Sequence, residues 1–197
     1  MKKKSLRVLV AEDEYLCLMG IKANLKRLGY QLVGEASNGR DAINIALEEK
    51  PDLIIMDINM DSMDGIEAVK RINKHLFIPS IILTGYTDDD LIQRAKKEVG
   101  IFGYLVKPVD ANDLKGAIEI AISKFREFNN VKKELHNVEE ALESRKYVER
   151  AKGILIDKHG LKEAEAMKKL QRISCNKNKK LVQVAKEIIK ADELLNS

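Results

Sequence analysis

The stretch Leu53-Ile54-Ile55-Met56-Asp57-Ile58-Asn59-Met60 decides the fold. Its leading residues are apolar without alternation, so a strand built from them is covered on both faces, as in a parallel sheet packed between helices. Four further runs read as strands: Leu6-Arg7-Val8-Leu9-Val10, Gln31-Leu32-Val33-Gly34-Glu35-Ala36, Ser80-Ile81-Ile82-Leu83 and Gly103-Tyr104-Leu105-Val106. Between them lie helical patterns. Tyr15 to Leu28 carries Leu18, Ile21, Leu25 and Leu28 at helical spacing and stops at Gly29; Asp41 to Glu49, Gly65 to His75 and Asp88 to Glu98 read similarly. Strands joined by helices of this length run parallel, which predicts a doubly wound α/β domain with a five-stranded parallel sheet.

The 197 residues allow one large domain or two small ones. All three prolines and nine of the eleven glycines lie at or before Gly116, so the remainder is expected to be long helices. Charge divides at nearly the same place: 17 Lys and Arg against 19 Asp and Glu up to Ile122, then 18 against 12. Cys17 and Cys175 are isolated, which excludes a disulfide framework and a zinc site by spacing. The run Leu6 to Ala11 is too short for a signal peptide and no segment approaches membrane-spanning length, so a cytoplasmic protein with no membrane partner is expected.

In sheets of this kind chemistry gathers beyond the carboxyl ends of the strands. There the sequence places Glu12-Asp13-Glu14, then Asp57-Ile58-Asn59, then Thr84-Gly85, and finally Lys107-Pro108. Any one acid at a strand end reads first as a helix cap. Carboxylates converging with a hydroxyl and an ammonium suit a hard divalent cation, Mg²⁺ being the natural candidate. Asp57, central in the array, then acts as nucleophile toward a phosphoryl group whose oxygens Lys107 and Thr84 neutralise.

Over residues 5 to 122 the chain resembles the receiver domain of two-component response regulators. The resemblance rests on Glu12-Asp13, Asp57 in its strand, Asp64-Gly65, Thr84, Tyr104 and Lys107-Pro108. It implies a flavodoxin-like fold, phosphorylation of Asp57 by a histidine kinase, and metal ligation by Glu12, Asp13, Asp57 and the Asn59 backbone carbonyl. It also implies that Thr84 and Tyr104 move as a switch, and that the Lys107–Pro108 bond is cis. Asp61 and Gly85 depart from the family's usual proline and alanine without removing a reactive group.

From Asp110 the pattern is helical. Leu114, Ile118, Ile122 and Phe125, then Leu135, Val138 and Leu142, recur every three or four residues, so a long helix running past the receiver boundary is expected, with a break or stutter near Phe128 to Val131. Intramolecular packing and a short coiled coil between two copies both account for this stripe. Three periodic segments follow: Ser144 to Lys158, Leu161 to Ile173 and Lys177 to Leu195. The expected organisation is a receiver at 1–122, a helical linker at 123–143 and an all-α three-helix module at 144–197. So small a module has no convergent nucleophile and is expected to bind rather than to catalyse.

Over Leu142 to Leu194 the module resembles the ANTAR domain of RNA-binding transcription antiterminators. Arg145, Val148, Ala151-Lys152-Gly153-Ile154-Leu155-Ile156, Gly160, Ala166, Leu170, Arg172, Leu181 and Val184-Ala185 carry the match, with Ser174-Cys175 a departure from the usual Ala-Met. This implies binding to RNA stem-loops in nascent transcripts and antitermination. Homodimerisation on phosphorylation would raise avidity. Tyr147 is the module's only Phe, Tyr or Trp, so cationic contacts are expected, from Arg145, Lys152, Arg172, Lys179 and Lys180. A DNA-binding regulator and a protein-interaction output remain alternatives on the residues alone, and an enzyme is not expected.

Overall fold

The computed structural model describes residues 5–85, 93–94 and 98–195. The chain divides into two compact units, 1–129 and 130–197. The first holds five strands, β1 (Arg7–Ala11), β2 (Gln31–Ala36), β3 (Leu53–Asp57), β4 (Ser80–Thr84) and β5 (Ile101–Val106). They form one parallel sheet in the order β2-β1-β3-β4-β5. Helices α1 (Tyr15–Arg27), α2 (Gly39–Glu49) and α3 (Gly65–Asn73) connect the first four strands. The helix expected over Asp88 to Glu98 falls mostly outside the described residues; Gln93 and Arg94 are helical.

Every residue of β3 is buried, and its side chains divide between the two faces. Ile54 and Met56 pack with Ala42, Ala46, Ala68, Val69 and Ile72 of α2 and α3. Leu53 and Ile55 pack on the other face with Ile21 and Leu25 of α1 and with Leu114, Ile118 and Ala121. Covering on both faces is why the run is uninterruptedly apolar. Helix α2 begins at Gly39, two residues before the predicted Asp41, and Asn38 caps it, its side chain accepting the Asp41 backbone N–H at 2.9 Å.

The long helix expected in the second half is present, without the expected break. Instead of breaking near Phe128 to Val131, a single helix, α4, runs through 49 residues from Ala111 to His159, and so includes the segment from Ser144. No proline or glycine lies between Gly116 and Gly153, and two asparagines cost too little propensity to end a helix already propagating. The helix is also anchored just before them. All four phenylalanines of the chain meet there, Phe77 and Phe102 packing against Phe125 and Phe128 with centroids 5.3–6.1 Å apart. This cluster carries the first unit on to Asn129, past the expected limit at Ile122.

In the second unit the last turns of α4 pack with α5 (Glu163–Lys177) and α6 (Leu181–Leu195). The buried core is Ala151, Leu155, Ala166, Leu170, Val184, Ala185 and Ile189. Gly160 and Asn178, both at positive φ, end α4 and α5. No helix of the described residues is long and apolar enough to cross a membrane.

Because Ile82 and Leu170 are fully buried in separate cores, truncating either to alanine is expected to cost about 2–5 kcal/mol. Urea unfolding followed by hydrogen exchange should place the loss of protection in the unit that carries the substitution.

Candidate phosphoacceptor and nucleic-acid-binding sites

The parallel register aligns the carboxyl ends of β1, β3, β4 and β5, pairing Asp57 with Leu83 and Thr84 with Val106. Glu12, one residue beyond β1, is 1% exposed, and Asp57, the last residue of β3, is 3% exposed. Lys107, just after β5, lies between them. Its Nζ donates to Asp57 Oδ2 at 2.7 Å and to Glu12 Oε1 at 2.8 Å. Thr84 is buried at the end of β4, with its hydroxyl 3.3 Å from the Gly85 carbonyl. The Lys107–Pro108 bond is cis. Tyr104, on β5, is 49% exposed.

Burial pushes the Asp57 carboxyl up to about 6; the Lys107 hydrogen bond and the Asn59 backbone N–H oppose this, and the Glu12 charge adds to it. For Lys107, burial alone would lower the pKa, but its hydrogen bonds to Asp57 and Glu12 raise it above the ordinary lysine range. Burial and the neighbouring Glu12 push the Cys17 thiol up to about 12. Cys17 thus lies beside the site, which no sequence signal indicated, since it is one position in an apolar helical stripe.

Carboxylate oxygens of Glu12, Asp13 and Asp57 come within 4.8 Å of one another. Three carboxylates against one ammonium leave a formal excess of two negative charges. Glu12 Oε2 is buried without a hydrogen-bond partner, although Lys107 Nζ is 2.7 Å away in poor geometry. A hard-oxygen cluster with a doubly negative balance and an orphaned acceptor fits a Mg²⁺ ion.

The geometry also explains Asp64-Gly65. Asp64 caps α3 by accepting the Ile66 N–H at 2.7 Å, and its other oxygen accepts from Arg94 at 2.7 Å. A Cβ on Gly65 would lie 1.9 Å from the Asp57 carbonyl oxygen and 2.8 Å from Met56 Cγ. Only glycine lets α3 start this close to the strand bearing Asp57.

In the second unit the five basic residues singled out for RNA are placed differently from one another. Arg145 and Arg172 are exposed, and Arg172 borders a shallow depression with Lys168 and Lys169 on α5. Lys180 is exposed at the start of α6. Lys179, together with Lys177, is ion-paired to Glu187. Lys152 is only 8% exposed, and its ammonium sits 2.8 Å from Glu163 and 2.9 Å from Glu149. Those contacts raise its pKa and make it a tie between α4 and α5 rather than an open phosphate contact.

The family model for the response regulator receiver domain matches residues 8–119, and that for the ANTAR domain matches residues 136–189. Transcriptional regulatory protein PdtaR of Mycobacterium tuberculosis is 43% identical over 183 residues, 93% of this chain and 89% of that one. Transcriptional regulatory protein LiaR of Bacillus subtilis is 40% identical over 118 residues, 59% of this chain and 56% of that one. Among solved structures, the signal receiver domain of a modulated diguanylate cyclase from Desulfovibrio desulfuricans is 37% identical with a TM-score of 0.57, covering 61% of this chain and 96% of that one.

Two outcomes follow from this geometry. Gly65→Ala displaces Asp57 and is expected to lower Mg²⁺ affinity at least ten-fold, measured by calorimetric titration. Folding raises the Asp57 pKa above its unfolded value near ~3.9. Its contribution to stability is therefore fully present below pH ~4 and lost as pH rises through about 6. Urea unfolding in EDTA should show Asp57→Asn gaining stability relative to the unsubstituted chain across that interval.

Proposed function

The chain belongs to the response regulator family, with a receiver domain followed by an ANTAR domain, and from that premise we propose that Asp57 is its phosphoacceptor. The protein is a phosphorylation-regulated, RNA-binding transcription antiterminator, and this is not an enzyme family. The observation that carries the assignment is the meeting of Glu12, Asp13, Asp57 and Lys107 at one sheet edge, with Asp57 buried but bounded by polar groups.

Receiver and ANTAR domains point to a histidine kinase and to RNA as partners. In the proposed transfer an Asp57 carboxylate oxygen attacks phosphorus of a phosphohistidine. The new P–O bond gives an acyl phosphate, and the breaking P–N bond returns its electron pair to the imidazole. Lys107, already 2.7 Å from Asp57 Oδ2, holds a phosphoryl oxygen by its ammonium. The Thr84 hydroxyl turns toward another, and Tyr104 follows inward from its exposed position, changing the surface beside β5. Glu12, Asp13, Asp57 and the Asn59 carbonyl are the residues that would hold Mg²⁺, which supplies neutralising charge for the phosphoryl oxygens.

On α4, Val131, Leu135, Val138 and Leu142 are each more than half exposed. Their spacing of four, three and four residues is that of a coiled-coil seam, along which two phosphorylated copies join. The paired modules each hold one RNA stem-loop through Arg145, Arg172, Lys168, Lys169 and Lys180. We assign this activity to the cytoplasm, where transcripts are made.

The test is binding of a structured RNA pool by the full chain, with duplex DNA as competitor, with and without Mg²⁺ and acetyl phosphate. Selective RNA binding enhanced at least ten-fold by the donor is expected, together with loss of the enhancement and of phosphoryl labelling in Asp57→Ala. Stoichiometric labelling of that variant would reject the site, and preference for duplex DNA would reject the RNA output.

A further inference from the structure

We propose that Tyr147, Lys180 and Lys186 form a pocket for one unpaired nucleotide of the bound RNA. The base lies on the tyrosine ring and its phosphate against the two ammonium groups. This deepens the RNA-binding reading and rests on it. Within the second unit, a cavity of about 220 Å³ is bounded by Glu140, Glu143 and Tyr147 of α4 and by Lys180 and Lys186 of α6.

Lys186 differs from the paired cations of the module. Arg150, Lys152, Lys158, Lys177 and Lys179 are all committed to carboxylates. Lys180 and Lys186 make no ion pair among the described residues, and Lys186 instead places Nζ 4.4 Å from the centroid of the Tyr147 ring. Tyr147 is half-buried against the second core while Lys186 is exposed, and an ammonium open to solvent over one ring face is weakly held. It can pass to a phosphate as a base takes its place, and a single stacked base carries about ten-fold in affinity, ~1.4 kcal/mol.

The opposite wall indicates the base. Glu140 and Glu143 are acceptors only, and carboxylates recognise exocyclic amino groups. Two ammoniums facing two carboxylates do not make a general anion trap. They suit a ligand that is anionic on one side and rich in N–H donors on the other, as an adenine, cytosine or guanine nucleotide is and a uridine is less so.

The pocket also leaves the apolar seam free. At about 100° per residue, Glu140, Glu143 and Tyr147 centre on a face of α4 nearly opposite to Leu135, Val138 and Leu142. Two copies joined along the seam would therefore present two such pockets outward, one for each stem-loop.

The test uses the full chain with Mg²⁺ and acetyl phosphate and a stem-loop recovered from the structured pool, with affinity read by fluorescence anisotropy. Tyr147→Phe should bind within two-fold of the unsubstituted chain and Tyr147→Leu about ten-fold more weakly. An abasic residue at one loop position should cause the same loss, and the two losses should not add. 2-Aminopurine at that position should be quenched by the unsubstituted and Phe proteins only. Lys186→Ala should reduce the slope of log affinity against log salt by about one, a readout that does not depend on the Leu variant folding. Additive losses at every abasic position, or an unchanged salt slope, would overturn the pocket while leaving RNA binding intact. Failure of the unsubstituted chain to retain any RNA would overturn the RNA-binding reading itself.

Discussion

One ammonium group holds the receiver's reactive edge together. Lys107 bridges Asp57 and Glu12, two carboxylates that the sheet buries almost completely. Without it, two buried carboxylates would face each other with no cation between them, and an unpaired charge away from water is costly. With it, one negative charge is offset, and the cluster still carries an excess suited to a divalent cation. The bridge is incomplete by design of the fold: Glu12 Oε2 has no hydrogen bond, and Asp57 keeps a pKa well above that of an ordinary aspartate. A site left partly unsatisfied is one that gains from binding cation and phosphoryl group together.

The rest of the first unit serves that placement. Four strand ends meet at one edge only because the sheet is parallel and its register is fixed by two covered faces. Gly65 lets α3 begin against the Asp57 backbone, and Asp64 caps that helix. At β5 the same strand offers Tyr104 to solvent and Phe102 to the phenylalanine cluster that anchors α4. One short strand thus joins the edge that ends in Lys107 to the ring cluster on α4.

The second unit separates its cations by task. Lys152, which the sequence presents as one more basic residue, is enclosed by Glu149 and Glu163 and fastens two helices. Lys177 and Lys179 share Glu187. The cations left for a polyanion include Arg145 on α4, Lys168, Lys169 and Arg172 on α5, and Lys180 and Lys186 beside Tyr147. A count of basic residues cannot make this division, because it depends on which acid from another helix comes within reach.

The local sequence determined the elements. Unbroken apolar runs specify covered parallel strands, helical spacing specifies what joins them, and the residues ending each run specify the chemistry of the edge, since strand order does not alter which end of a strand is its carboxyl end. Among the residues that carry the ANTAR resemblance, Ala151, Leu155, Ala166, Leu170, Val184 and Ala185 form most of the second core. Tertiary structure decided what depends on distance between segments remote in sequence. It decided that Lys107 spans two acids, that Cys17 lies beside Glu12, that four phenylalanines from three segments carry α4 through its asparagines, and that Lys186 covers Tyr147. Periodicity is a property of neighbours along the chain, whereas pairing, burial and pKa are set by neighbours in space, and only the folded chain fixes those.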